Sequence, residues 1–106
     1  MDGMQEDELI RKPSQVTEEC KLMLKEATAY IAENSEKQAA IMIMQFKRII
    51  NLLEVMPGIG SKYENGMRRF LLGKFPYYIY YREHEKYISI RGIWHTSRGT
   101  DFDELD

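Results

Sequence analysis

The run Tyr77-Tyr78-Ile79-Tyr80-Tyr81-Arg82 limits what this chain can become more than any other stretch. Aromatic and β-branched residues follow one another without a break, which fits a pleated, largely buried strand and not a helix. The charged residues Glu83-His84-Glu85-Lys86 come next, and the apolar pattern resumes at Tyr87-Ile88-Ser89-Ile90. That is the signature of a hairpin. Upstream, Met67 to Leu72 reads as a further strand, turned by Gly73-Lys74-Phe75-Pro76. A three-stranded antiparallel meander is therefore expected between Gly66 and Arg98, with its strands at Met67 to Leu72, Tyr77 to Arg82 and Tyr87 to His95. In the last strand Ile88 and Ile90 share one face, whereas Ile93 has the opposite parity. Gly92 is placed to mark a bulge that returns Ile93 to the core side.

Ahead of the meander the hydrophobic period changes from two to three and four. Val16, Cys20, Met23, Leu24, Ala27 and Ile31 fall on one helical face, with Ser14 as the expected N-cap and Glu18 and Glu19 at the positive end of the helix dipole. The helix breaks at Asn34-Ser35, and Ser35 with Gln38 has the form of a capping box that starts a second helix. Its core stripe is Ala39, Ile43, Phe46, Ile50 and Leu53, widened by Met42, Ile49 and Leu52. So short a link makes the two helices antiparallel neighbours. Pro57-Gly58-Ile59-Gly60 ends the second helix and opens a loop to about Gly66. Its G-x-G lacks the preceding strand and following helix that a dinucleotide site requires. Glu8 to Lys12 reads as a short strand stopped by Pro13, which cannot donate to a ladder. The expected fold is α+β: an N-terminal strand and an antiparallel helical hairpin packed on a small antiparallel sheet. One domain spans residues 1–106. Residues 1–7 and 99–106 are expected to be flexible, although Phe102 and Leu105 allow the latter to pack loosely as a final turn.

The formal charge of −2 hides an uneven distribution. Residues 1–36 carry nine acids and four bases, residues 37–98 four acids and eleven bases, and residues 99–106 four acids. A basic middle section suits either a solvated sheet face or an anionic partner. Cys20 is the only cysteine, which excludes an internal disulfide and fits a reducing compartment. Its place on the helix core stripe makes it a small core residue and not a nucleophile. No basic segment leads into an apolar run, and no stretch is long enough to cross a bilayer, so a cytoplasmic location without membrane contact is expected. Histidine and cysteine do not cluster at ligand spacing, so no metal and no cofactor is expected.

Four stretches together resemble the RelE/ParE superfamily of bacterial type II toxin-antitoxin toxins, from about Leu9 to Arg98. They are Tyr30-Ile31 ahead of Ser35-Glu36-Lys37-Gln38-Ala39; Ile50 through Leu53 leading into Pro57-Gly58-Ile59-Gly60; Arg68-Arg69-Phe70 with Phe75-Pro76-Tyr77 and Ile79-Tyr80-Tyr81-Arg82; and Ile90 with His95-Thr96-Ser97-Arg98. The resemblance implies a growth-inhibiting toxin of the kind linked to plasmid stabilisation, held inactive by a cognate antitoxin, either as a toxin-antitoxin hetero-oligomer or with a homodimer stage. Members similar to RelE cleave messenger RNA in the ribosome with basic side chains on the sheet. Members similar to ParE inhibit DNA gyrase through protein contacts. Where the nucleases place a catalytic arginine after the tyrosine that opens the central strand, this chain has Tyr78, which carries no fixed positive charge. The arginine pair, the Phe-Pro-Tyr element and the final His-x-x-Arg look closer to ParE.

Two sets of site residues follow. If the chain is a nuclease and not a gyrase inhibitor, His95, Arg98, Arg68 and Arg82 are the candidate catalytic groups, with His95 the candidate for acid-base chemistry by residue type. If it acts by binding, Arg68, Arg69, Tyr78, Tyr80, Arg82 and Arg91 are the expected partner contacts. His95 and Arg68 also have structural readings, as a histidine bonded to its neighbours and as an arginine pinning its strand. His84 is expected to be solvated in its turn. The tyrosines at 77, 78, 80 and 81 alternate in side, so one pair should bury under the helices and the other be at least partly exposed. Exposed tyrosines beside arginines suit a partner's apolar pocket or base stacking.

Overall fold

The computed structural model describes residues 11–97. Five strands and two helices follow one another as β1 (Ser14–Val16), α1 (Glu18–Ala32), α2 (Glu36–Val55), β2 (Ser61–Lys62), β3 (Met67–Leu71), β4 (Tyr77–Glu83) and β5 (Ile88–His95). Single 3-10 turns at Pro57–Ile59 and Glu64–Gly66 flank β2. The strands form one sheet in the order β1-β5-β4-β3-β2. The meander of β3, β4 and β5 is antiparallel throughout, as its tight turns require.

The sheet is mixed and not purely antiparallel, because β1 runs parallel to β5. The expected strand at Glu8 to Lys12 is displaced as well. Residues 8–10 lie outside the described residues, and Arg11 and Lys12 are not in a strand. The strand instead follows Pro13, whose carbonyl accepts the Ile88 N–H at 3.0 Å. A proline that cannot donate thus sits at the strand entrance, where only its acceptor is used. Ser14 and Val16 are spent on this pairing, so α1 starts later than the periodicity indicates. Thr17 is its N-cap, its side chain accepting from the Cys20 N–H at 3.1 Å. The second helix begins where the sequence places it: Ser35 Oγ accepts from the Gln38 N–H at 3.1 Å.

The core lies between the two helices and one face of the sheet, here called the inner face. Met42, Phe46, Ile49, Ile50 and Leu53 of α2 meet Ile79, Tyr81, Ile88, Ile90 and Ile93, closed by Cys20, Leu72 and Phe75. Ile43 does not belong to the stripe: it is 37% exposed, and Met42 takes the buried position. The stripe passes through 39, 42, 46, 49, 50 and 53, and a residue one position past 42 is rotated a further 100° towards solvent. Burial raises the Cys20 thiol pKa to about 12, which makes it an inert core group. The register of β4 against β5 shifts between Tyr80 and Tyr81, leaving Arg91 opposite no residue, with Gly92 opposite Tyr80. This bulge at Arg91-Gly92 brings Ile88, Ile90 and Ile93 into one core, all buried.

Candidate functional site

On the inner face, Arg68 and Tyr81 are a cross-strand pair that holds the Pro57-to-Gly60 turn onto the sheet. The Tyr81 hydroxyl donates to the Pro57 carbonyl at 2.7 Å and accepts from the Gly60 N–H at 2.9 Å. Arg68 Nη1 donates to the carbonyls of Gly60 at 2.7 Å and Gly58 at 3.2 Å. A Cβ at Gly60 would lie 2.5 Å from the Tyr81 oxygen and 2.9 Å from the Arg69 carbonyl, so the turn can dock only as glycine. The Pro-Gly-Ile-Gly stretch is thus an anchored corner between α2 and β2. Burial raises the Tyr81 pKa, which keeps its hydroxyl protonated and able to donate to Pro57.

The outer face, over which no helix of the described residues packs as a layer, carries its own small aromatic core. Tyr80 is completely buried there, together with Met67, and Tyr63, Tyr78 and Trp94 pack against them. Tyr80 meets Tyr63 edge-on with ring centroids 5.4 Å apart, and Tyr78 at 6.1 Å. The Arg69 guanidinium lies 4.4 Å from the Tyr78 ring and 5.2 Å from the Tyr63 ring, and its Nη1 approaches the Tyr80 hydroxyl at 3.5 Å. That hydrogen bond raises the arginine's pKa further above its usual value. The expectation of two outward tyrosines is therefore corrected: Tyr78 stays partly exposed, but Tyr80 faces outward in parity and is sealed by its neighbours. Alternation fixes the face of a side chain, not what lies over it.

A groove of about 1060 Å³ runs between α1 and the part of β5 that β1 leaves uncovered. β1 pairs only with Ile88 to Ile90, and its run ends where the Thr17 N–H donates to the Ile90 carbonyl at 3.0 Å. Beyond that point the chain leaves as α1, whose residues Glu19, Met23, Glu26 and Tyr30 form one wall. Their spacing of four, three and four is a second stripe beside the core stripe, legible in the sequence only once the position of β5 is known. Gly92 lets this wall come close, since a Cβ there would lie 3.3 Å from Met23 Sδ. The opposite side reaches around the sheet edge, with Met67, Arg82 and Trp94 from the outer face and Tyr77, Ile93 and His95 from the inner. Arg91, extruded by the bulge, is exposed above it. Neither Arg82 nor Arg91 has a hydrogen-bond or ion-pair partner among the described residues.

Of the catalytic set, Arg68 is committed to loop carbonyls on the inner face, and Arg98 lies outside the described residues. His95 stands opposite Tyr77 at one end of β4, whereas Arg82 is five residues along the same strand, a separation of about 17 Å. His95 packs edge-on against Tyr77 at 5.1 Å. Its Nδ1 accepts the Ser97 N–H at 3.1 Å and lies 2.8 Å from Ser97 Oγ, so a neutral ring carries its proton on Nε2. His84 is half-buried and not solvated. It stacks on Tyr87 at 4.3 Å and reaches Ser89 Oγ at 3.0 Å through Nε2, because Ser89 turns its hydroxyl out of the sheet beneath the hairpin. Of the partner-binding set, the structure brings Arg82 and Arg91 to the groove and Arg69 and Tyr78 to the adjoining outer face; Arg68 is half-buried and bonded to the loop carbonyls, and Tyr80 is buried. Trp94 is the groove residue that the sequence did not single out; its pairing with Tyr78 is the signal, once the bulge fixes the register. Among the described residues no group of three His, Cys, Asp or Glu side chains could hold a metal, and no helix is long and apolar enough to cross a membrane.

Comparison with solved structures finds a similar chain described as "Chromosomal ParDE TA system from P. aeruginosa", with a TM-score of 0.70 and 19% identity over 80% of this chain and 96% of that one. At that identity the likeness shows the fold: two helices on a five-stranded mixed sheet. Comparison with curated proteins gives no match. Residues 15–99 match the family model described as the ParE toxin of the type II toxin-antitoxin system parDE. Most of the chain falls within that match, and the chain belongs to the ParE toxin family.

Proposed function

We propose that the protein is a growth-inhibiting toxin that binds a protein target in the cytoplasm, with DNA gyrase as the target, and that a cognate antitoxin neutralises it by laying an acidic segment along the α1–β5 groove. The observation that carries this reading is the pairing of two uncommitted guanidiniums, Arg82 and Arg91, with the apolar groove residues Met23, Met67 and Trp94. Charge on such a surface steers encounter, and buried aromatic area holds the complex. A ribosome-dependent nuclease is less well supported. Its groups must reach one phosphate within about 3 Å each, yet Arg68 is engaged elsewhere and His95 and Arg82 sit at opposite ends of β4. Tyr78 is folded against Arg69, where it supplies no charge.

The test is a gyrase supercoiling assay with purified protein, run beside a translation extract followed by primer extension. Loss of supercoiling with intact message is the expected outcome, reversed by adding the antitoxin. Cleaved message would replace this reading with the nuclease. Inertness in both assays would make the chain a binding module without toxicity.

A further inference from the structure

The helical hairpin carries apolar side chains on its side away from the sheet. Leu22 of α1 is 60% exposed, and Met44 and Val55 of α2 are 61% and 44% exposed. On α2, Met44, Arg48, Asn51 and Val55 recur at four, three and four along the face opposite the buried Phe46. On α1, Leu22 stands opposite the buried Cys20, on a face it shares with Glu26 and Glu33. The two outward faces differ in sign. The stretch from Lys37 to Leu53 contains no acid, and neither Lys37 nor Arg48 makes an ion pair among the described residues. Glu26 and Glu33 make none either. Lys25 interrupts the acidic side, and Lys21 is turned to Glu18 at 3.2 Å. Both core stripes face the sheet, so an acidic face and a basic face lie side by side on one outward surface. A surface of that kind is complementary to itself under a two-fold rotation.

We propose that this outward face binds a second copy of the chain, α1 of each copy lying on α2 of the other about a two-fold axis parallel to the helices. The register follows from the hairpin. Leu22 is eleven residues before Glu33 and Lys47 is eleven after Glu36, so the two stand level, as do Glu26 and Ile43. Rotation about such an axis keeps each level and exchanges the helices. Leu22 of one copy then lies over Met44 and Arg48 of the other, and Glu33 faces Lys37. Glu26 comes about 8 Å along the axis from Arg48, a distance that two long side chains span. An axis across the helices would instead set acid on acid and base on base. The helices are 15 and 20 residues long, so side by side, each about 10 Å wide, they present a face of about 500 Å². Two such faces bury about 1,000 Å², the lower end for a specific interface. The contact is therefore a reversible dimer, closed by its symmetry against further growth. It requires neither toxicity nor an antitoxin, and of the residues named for it Glu26 alone also lines the α1–β5 groove.

Sedimentation equilibrium of the full chain over a wide range of concentration reads the mass directly, with circular dichroism confirming that every variant is folded. A twofold rise in mass is expected as concentration increases, shifted to higher concentration by added salt. Lys37→Glu plus Arg48→Glu should hold the chain at the monomer mass, and so should Glu26→Lys plus Glu33→Lys. Mixing these two variants should restore the twofold mass, because each α2 then meets an α1 of opposite sign in the other chain. Leu22→Ser plus Met44→Ser should lower the mass to that of the monomer by a route that leaves the charges in place. A monomer at every concentration would overturn the proposal. So would a dimer that survives both charge variants, since the contact would then lie on another surface. Two monomeric charge variants that fail to pair on mixing would overturn it as well, because α1 and α2 would then not be the faces that meet.

Discussion

Removing one oxygen from the core side of the sheet, by Tyr81→Phe, tests how the corner between α2 and β2 is held. The hydroxyl accepts from the Gly60 N–H at 2.9 Å and donates to the Pro57 carbonyl at 2.7 Å, and Gly60 is buried beneath the ring. The substitution strands a buried N–H, at a cost of about 1–3 kcal/mol. The Pro57 carbonyl is only partly buried and can recover water, adding about 0.5–1 kcal/mol. Arg68 still holds the Gly58 and Gly60 carbonyls, which limits how far the turn can relax. The sum is about 1.5–4 kcal/mol, or roughly 6–32 °C in Tm for a domain of this size. Denaturant melts measure the loss, and hydrogen exchange at the Gly60 amide locates it. A loss under about 0.5 kcal/mol with the Gly60 amide still protected would refute the reasoning, because the hydroxyl would then not be the group that closes the corner. Gly60→Ala should fail by a different route, steric displacement of the Tyr81 oxygen. The two changes should therefore be strongly non-additive, since the second removes a contact that the first has already broken.

Phe46→Ala should cost about 3–5 kcal/mol in the same melts, as expected for a ring 5% exposed in the helical core; a loss under about 1 kcal/mol would mean the stripe collapses around the gap. The neutral Cys20 thiol stabilises the fold fully below pH 9, where folded and unfolded thiols are both protonated. That stability is lost as pH rises from 9 towards about 12, at up to about 1.4 kcal/mol per pH unit. Cys20→Ala should therefore flatten the decline of stability between pH 9 and 10, as measured by urea midpoints across that range. Arg69→Ala should cost about 1–2 kcal/mol because it removes a cation from two rings and uncovers Tyr80, whereas Arg82→Ala should change stability by less than about 0.5 kcal/mol and act on partner binding instead. Equal melts for the two variants would place Arg69 outside the aromatic cluster.

The meander was legible because its signals are local. The unbroken run at Tyr77, the turn at Gly73 to Pro76 and the parity slip between Ile90 and Ile93 each lie within a few residues of what they determine. The capping of α2 by Ser35 was legible for the same reason. What the sequence hid depends on distant pairing. Ser14 looks like an N-cap until β5 claims it for a parallel ladder, a pairing between segments more than seventy residues apart. Tyr80 looks outward until Tyr63 and Arg69 close over it from another strand and another loop. Arg68 and Arg69 are adjacent and chemically identical, yet one is spent on loop carbonyls and the other on aromatic rings, because strand alternation sends them to opposite faces.

The four arginines of the sheet thus divide into two that the fold uses and two that it does not, and this division bears on function more than the total charge does. Arg68 donates to the carbonyls of Gly58 and Gly60, and Arg69 is held by π faces; removing either disturbs the fold. Arg82 and Arg91 satisfy nothing among the described residues, so the fold gives no reason for them to be cationic. A fully hydrated surface guanidinium needs no reason, but these two share a groove with Met23, Met67 and Trp94, where apolar area and charge face the same space. Desolvating them without a counter-charge would be costly, so only an anionic occupant can also collect the apolar burial beneath. The bulge that corrects the register of Ile93 for the core is the same feature that pushes Arg91 out over this groove. One extra residue in β5 therefore completes the interior and arms the surface together.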